Sequence, residues 1–397
     1  MTAAERTRRL ELVSASIAVV APLAFLAVGA LRAYPFIDDV TIPSPNGDDW
    51  HTYKQFAASV VRDGLTMPAV AGTYAGLPHG FLYVYFLALI FAVFGVNSTY
   101  VYVAQSLGLG LSISFMYLAL RRRLTASGTL VFILTLAALM YIDVFRHLTF
   151  KLLSENLYLV LCPLFLLALF RGLEERNDHA RRDLFGAGVM LGLVILTRPS
   201  FILSGFGVIA ATGIYWWVRG RSPWPLAMML LGLAIGLSGV VARNYFLTGR
   251  VTFDIVTDTS DWLRIWDLPV AQFLTALVNR SAFVFGVTGI LAPAYRLRPY
   301  WMILWLLWAF YPIFKLSRRQ PIEFWELLLY IYVVLYIGPV ILVADITSYG
   351  GRMVIAILPL VLVPACRLFF ASEAAVAARP ASTAGPVSRE MPREVER

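Results

Sequence analysis

Asp48 and Asp49 stand side by side in the stretch Asn46-Gly47-Asp48-Asp49-Trp50-His51-Thr52-Tyr53, two carboxylates in a polar segment of a chain that is 59% hydrophobic and only 14% charged. A carboxylate within hydrogen-bond reach of a hydroxyl can take its proton as general base. Elsewhere the apolar body carries few charges, and those of interest are Glu155, Arg198, Arg243 and Arg352. An arginine fork clamps a phosphate bidentately and stabilises it as a leaving group. Carboxylate and arginine together are what transfer of a sugar from a lipid phosphate to a hydroxyl requires. A carboxylate of ordinary pKa, about 4, is ionised at neutral pH without tuning.

Each of these residues also has a structural reading. An Asp at position 48 or 49 caps a helix N-terminus well. Glu155 follows Ser154 at a helix start, where an acid suits the dipole. Arg243 and Arg352 fall at the ends of apolar runs, where arginines anchor spans. Arg198 differs, because it lies inside a long apolar run, where an arginine facing lipid costs several kcal/mol. His51 and His79 have no partner at metal-ligand spacing, and Cys162 and Cys366 lie in separate apolar runs, so neither a metal nor any other cofactor is assigned.

The elements that must position these groups are membrane helices. Continuously apolar runs occur near residues 12–31, 80–96, 99–120, 128–145, 156–170, 184–217, 224–242, 273–294, 300–314, 324–344 and 353–371. A span takes about 20 residues, and the runs lack the alternation of a barrel strand. The expected fold is all-α, a polytopic bundle with roughly 9 to 11 crossings. Arg6, Arg8 and Arg9 precede the first run, which reads as a retained helix and places the N-terminus in the cytoplasm. The loop over 32–78 then lies outside. Basic clusters at 171–182 and 219–221 mark the cytoplasmic side, and anchors of this kind account for the net charge of +9 without nucleic acid.

Inside the outer loop, Trp50, Tyr53, Phe56, Ala57, Val60 and Val61 recur at spacings of three and four, which predicts an amphipathic helix ending at Gly64. The run over 184–217 is twice one helix in length and is interrupted by Thr197-Arg198-Pro199, so it reads as two helices with the arginine at their outer turn. Counting crossings leaves two parity problems, one between the outer loop and Glu155, the other between Arg243 and Arg352. One run in each interval has to be short, re-entrant or fused. Residues 1–372 are expected to form the membrane domain and 373–397 a disordered tail rich in Ala, Pro, Ser, Glu and Arg. Asp143, Arg146 and Lys151 read as a solvated rim, and Trp216, Trp217, Trp301, Trp305 and Trp308 as belt or packing residues. No phosphate-binding glycine loop is present, which argues against a soluble nucleotide-sugar donor.

Taken in order, the motifs resemble the GT-C superfamily of polyprenyl-phosphate-dependent glycosyltransferases, most closely the branch of protein O-mannosyltransferases and aminoarabinose transferases. Asp49, Tyr53, Ala57, Gly64 and Pro78 follow the order of that branch's acidic motif in the first outer loop. The likeness continues through Phe94-Gly95, Gln105, Ser154-Glu155-Asn156, Leu196-Thr197-Arg198-Pro199, Arg243-Asn244-Tyr245 with Gly249, and Arg352 to Pro359. The resemblance implies a GT-C fold and a polyprenyl-phosphate-linked sugar as donor. It also implies a glycan, lipid or protein acceptor and catalysis at the outer face of the inner membrane. By register with Tyr53 it puts Asp49 at the catalytic aspartate position. Where the family often has Asp-Glu, this chain has Asp49-Trp50 with Asp48 before it, so the choice between the two carboxylates stays open. Glu155 resembles the family's second outer acid, and Arg198, Arg243 and Arg352 resemble donor-phosphate or cavity arginines, with Tyr53 and His79 beside them. Two other classes remain: a glycolipid or lipid-phosphate transporter, and a non-catalytic assembly subunit.

Overall fold

The computed structural model describes residues 2–33, 49–64, 81–145, 149, 152–174, 179–248, 269–285, 300–343 and 354–377. All regular structure among them is helical. The helices are α1 (Ala3–Ala33), α2 (Asp49–Asp63), α3 (Phe81–Phe94), α4 (Ser98–Leu120), α5 (Ala126–Leu139), α6 (Ser154–Gly172) and α7 (Ala180–Thr197), followed by α8 (Ile202–Val218), α9 (Trp224–Thr248), α10 (Val270–Val284), α11 (Tyr300–Ser317), α12 (Phe324–Val343) and α13 (Leu358–Ala377).

Seven of the described helices are long and apolar enough to cross a membrane by length and composition: α1, α4, α6, α8, α9, α11 and α12. Chain direction adds three more. α5 is prolonged by the π-helical turn Met140–Phe145, and α7 and α13 run between the same two ends. Side-chain contacts identify those ends. At one, Arg122 meets Glu174, Arg367 bonds the Arg123 carbonyl, Lys315 meets Glu326, and the Tyr215 and Phe324 rings stack at 3.8 Å. At the other, Glu155 meets Arg198. Among the described residues ten passes result, seven of them by length and composition. Ser114 bonds the Ala18 carbonyl and Gly29 abuts Ser106, so α1 and α4 are antiparallel and α1 begins at the basic end, where α13 also finishes.

The two parity problems resolve by length. α3, read as a span over 80–96, has 14 residues and is about 21 Å long, well short of the roughly 30 Å core. α10, in the run read as 273–294, has 15. Each lies between two helix ends on the Glu155 side, so neither crosses. The split at 197–199 is as expected. Gly64 ends α2 with a φ of 99°, a backbone region that only glycine enters without strain. α13 continues past residue 372 to Ala377, into the segment read as a tail.

Packing is closest where side chains are absent. Gly188 and Gly192 on α7 face Gly232 and Gly236 on α9, and a Cβ on Gly188 would lie 2.0 Å from the Met229 carbonyl oxygen. The two helices run in the same direction, backbone against backbone, as small-residue faces allow in lipid. Asn97 accepts from the Thr99 amide at 2.7 Å, so the sequon-like Asn97-Ser98-Thr99 is a helix cap. Cys162 and Cys366 are buried free thiols, and among the tryptophans Trp216, Trp301 and Trp305 are buried while Trp217 is exposed.

Candidate functional site

The site is built from the break between α7 and α8. α7 ends at Arg198 in extended backbone, φ −145° and ψ 100°, and Pro199 opens the 3-10 turn Pro199–Phe201. Proline there lacks only an amide that a helix start leaves unpaired anyway. Phe201 is fully buried and stacks on Tyr158 at 4.1 Å and on Tyr336 at 4.0 Å. An aromatic floor contributed by α6 and α12 therefore holds the turn, and with it the arginine.

Arg198 points back to the first turn of α6, where its Nη1 lies 2.6 Å from Glu155 Oε1. Glu155 is 2% exposed and Arg198 8%. Nη1 has no aligned hydrogen-bond acceptor, so the contact is electrostatic more than directional. A pair this deeply buried is costly to break from one side, about 3–5 kcal/mol, because the surviving charge is left without a partner.

A second arm comes from the opposite direction. Tyr53, Ala57 and Val60 of α2 are buried against Tyr83, Val84 and Leu87 of α3. The Tyr53 and Tyr83 rings meet edge to face at 5.0 Å. The Tyr83 hydroxyl donates to Gln105 Oε1 at 2.6 Å, and Gln105 Nε2 donates to the Thr149 carbonyl at 2.6 Å, all within buried surroundings. Thr149 precedes α6, so this chain of contacts ties α2 to the helix that carries Glu155. Asp49 is the first residue of α2, one turn ahead of Tyr53.

Arg243 approaches from α9, one turn or so before its end. It donates from Nη1 to Asn244 Oδ1 at 3.2 Å and hydrogen-bonds the Tyr85 hydroxyl of α3. Tyr53, Glu155, Arg198 and Arg243 therefore gather at one end of the bundle, together with the start of α2. Asp48, His79 and Arg352 lie outside the described residues, as do Arg146 and Lys151. Sequence reasoning missed Tyr83 and Tyr85 because they sit in an aromatic run read only as a span. Two hydroxyls at alternate positions of an otherwise apolar stretch were the available signal.

A second group of charges, also missed, closes the opposite end. Lys315 Nζ lies 2.6 Å from Glu326 Oε2, both nearly fully buried. Glu326 also accepts from Tyr311, and Arg367 bridges it to Glu323 at 3.1 and 2.5 Å. Against burial, which acts to raise it, the Trp325 indole and Arg367 hold the Glu323 carboxyl below the usual glutamate range.

Comparison with known proteins places this arrangement. Residues 78–241 match the sequence model of the dolichyl-phosphate-mannose-protein mannosyltransferase family. The fold is similar to that of ArnT from Cupriavidus metallidurans, solved bound to undecaprenyl phosphate, at 16% identity and a TM-score of 0.52, over 89% of this chain and 62% of that one. It is also similar to the Archaeoglobus fulgidus oligosaccharyltransferase in its apo form, at 14% identity and a TM-score of 0.50, over 90% of this chain and 52% of that one. The chain thus spans about three fifths and half of the lengths of these two proteins. No curated protein matches it in sequence.

Proposed function

From the GT-C fold, which the chain shares with these proteins, and from the family match over its first half, we propose that it is an integral membrane glycosyltransferase using a polyprenyl-phosphate-linked sugar. The observation that carries the reading is the convergence at one end of the bundle. There, the buried Glu155–Arg198 pair, Arg243 and the start of α2 with Asp49 are drawn together by the Tyr83–Gln105–Thr149 contacts.

The reaction follows from these groups. The acceptor oxygen attacks the anomeric carbon as the bond from that carbon to the phosphate oxygen breaks. The acceptor proton passes to the carboxylate of Asp49, with Asp48 as its neighbour, and polyprenyl phosphate leaves as the anion. Attack and departure on opposite faces invert the anomeric centre. Glu155 already neutralises Arg198, so this arginine fixes the floor of the site, while Arg243, at the mouth, faces the phosphate of the donor. Tyr53 stands beside these groups, and Arg352 and His79 are assigned to substrate binding from the motif resemblance alone.

The orientation follows from charge. Arg6, Arg8 and Arg9 share their end of the bundle with Arg123, Arg171 and Arg219, the cytoplasmic end by the positive-inside bias, so the site faces outward across the inner membrane. The acceptor is a hydroxyl of a glycan, lipid or protein. The test is purified protein incubated with a radiolabelled polyprenyl-phosphate sugar and acceptor extract. Release of free polyprenyl phosphate with inverted product, lost in Asp49→Asn, is expected. Donor consumed equally by a folded Asp49→Asn variant overturns the assignment of the base. Donor left chemically unchanged by the wild type overturns the enzyme.

A further inference from the structure

At the basic end, remote from Glu155 and Arg198, a cavity of about 360 Å³ opens between the α4–α5 turn and the ends of α11 and α13. Its charged lining is uneven: Arg122, Arg123, Lys315 and Arg367 against the single carboxylate Glu323. The rest of the wall is largely apolar, with Leu124, Cys366 and Phe370 contributing. Lys315 and Arg367 are tied into the Glu326 network, and Arg122 meets Glu174 at 3.1 Å near the surface.

Arg123 stands apart. Its Nη2 donates to the Phe170 carbonyl at 2.8 Å and its guanidinium lies over the Phe170 and Trp325 rings, at 4.6 and 5.5 Å. Among the described residues it has no carboxylate within ion-pair distance, although it is largely enclosed. The arginine is held by a carbonyl and two aromatic faces, and Glu174 and Glu323 act on it only from beyond ion-pair distance, so the cavity keeps an excess of positive charge, four cationic side chains against one carboxylate.

We propose that this cavity binds the headgroup of an anionic phospholipid from the leaflet at the basic end, its phosphate on Arg122 and Arg123 and its first acyl carbons along Leu124 and Phe370. A basic pocket between helices, at headgroup depth and with apolar walls, is the form such lipid sites take. The chain's own C-terminal segment is the other occupant within reach, since α13 passes the cavity at Phe370. The side chains of residues 373–397, with Glu373, Glu390, Glu394 and Glu396 against Arg379, Arg389, Arg393 and Arg397, sum to zero and offer a cationic cavity no net side-chain complement. An anionic lipid does.

The full chain in nanodiscs tests this, with a photocrosslinking benzophenone residue replacing Phe370. In discs of mixed phosphatidylglycerol and phosphatidylcholine, illumination should add the mass of phosphatidylglycerol, at least about tenfold over phosphatidylcholine after correction for composition. The double substitution Arg122→Gln with Arg123→Gln should remove that preference while leaving the thermal midpoint within about two degrees. Equal labelling of both lipids, labelling of residues 378–397 in place of lipid, or selectivity that survives the double substitution each overturns it. So does competition by free glycerol phosphate at millimolar concentration, because it would mean a soluble phosphate site and not a lipid one.

Discussion

The two ends of this bundle use buried charge in opposite ways. At the basic end, Lys315, Glu326, Arg367, Glu323 and Tyr311 satisfy one another across three helices, so the charges lock α11, α12 and α13 together. At the Glu155 end a single buried pair, Arg198 with Glu155, joins α6 to the α7–α8 turn. Arg243 meets the Asn244 amide and the Tyr85 hydroxyl, and Asp49 stands at the start of a separate helix, α2, which is held by packing of Tyr53 on Tyr83 and by the Tyr83–Gln105 hydrogen bond. A closed network of this size locks three helices, whereas one pair fixes a single turn and leaves α2, with the proposed base, to be held by packing.

This contrast is open to disproof by substitution. The largest effect is expected from Asp49→Asn, which should lower transfer by about 10²–10⁴-fold, the worth of a general base, with an unchanged unfolding midpoint. A comparable loss of unfolding midpoint would make Asp49 a structural residue. At the basic end the balance reverses. Lys315→Met should cost about 1–3 kcal/mol of stability by removing the closest partner of Glu326 and leaving Arg367 as its remaining cation, while the folded fraction keeps its turnover. Adding Glu326→Leu should recover much of that loss in a denaturation series, and no recovery would mean that the pair is not the source of the cost.

Gln105→Leu should be intermediate, about 1–3 kcal/mol, since it removes the acceptor of the Tyr83 hydroxyl and a donor to the Thr149 carbonyl in buried surroundings. Because Gln105 links α2 to α6, kcat should fall more than KM changes. The smallest effect concerns pH. The Glu323 carboxyl is held below its usual range, so its contribution is complete above about pH 4.3 and is lost as pH falls through the depressed value. Glu323→Gln should therefore lower the melting temperature by a degree or two at neutral pH, where the ionised carboxyl contributes, and the two proteins should converge as pH falls through the depressed value. At about half exposure the interaction is screened.

Much of the architecture was legible in the sequence because lipid demands long apolar runs, and the arginine turn was legible because Arg198 next to Pro199 fits no continuous span. The motif order also announced the family likeness before any geometry. What stayed hidden has physical causes. α3 and α10 have the composition of spans and differ only in length, which blurred run boundaries conceal. The partnership of Glu155 with Arg198 joins separate helices, and nothing local to either residue encodes it. The α7–α9 glycines passed unnoticed because a glycine in a span looks like any small residue until its neighbour is known. The Lys315–Glu326 pair escaped for a related reason, since each residue sits at a helix end and reads there as an ordinary boundary charge.

The direct contact of α7 with α9 bears on how substrates can enter. With Gly188 and Gly192 seated on the α9 backbone, and Gly232 and Gly236 seated on that of α7, neither helix can slide or tilt against the other without a steric collision. The segment that ends in Arg198 and the one that carries Arg243 are consequently a single strut, and the separation of those two arginines is a fixed gauge. On the proposed function, admission of a lipid-linked donor has to come from walls other than this pair.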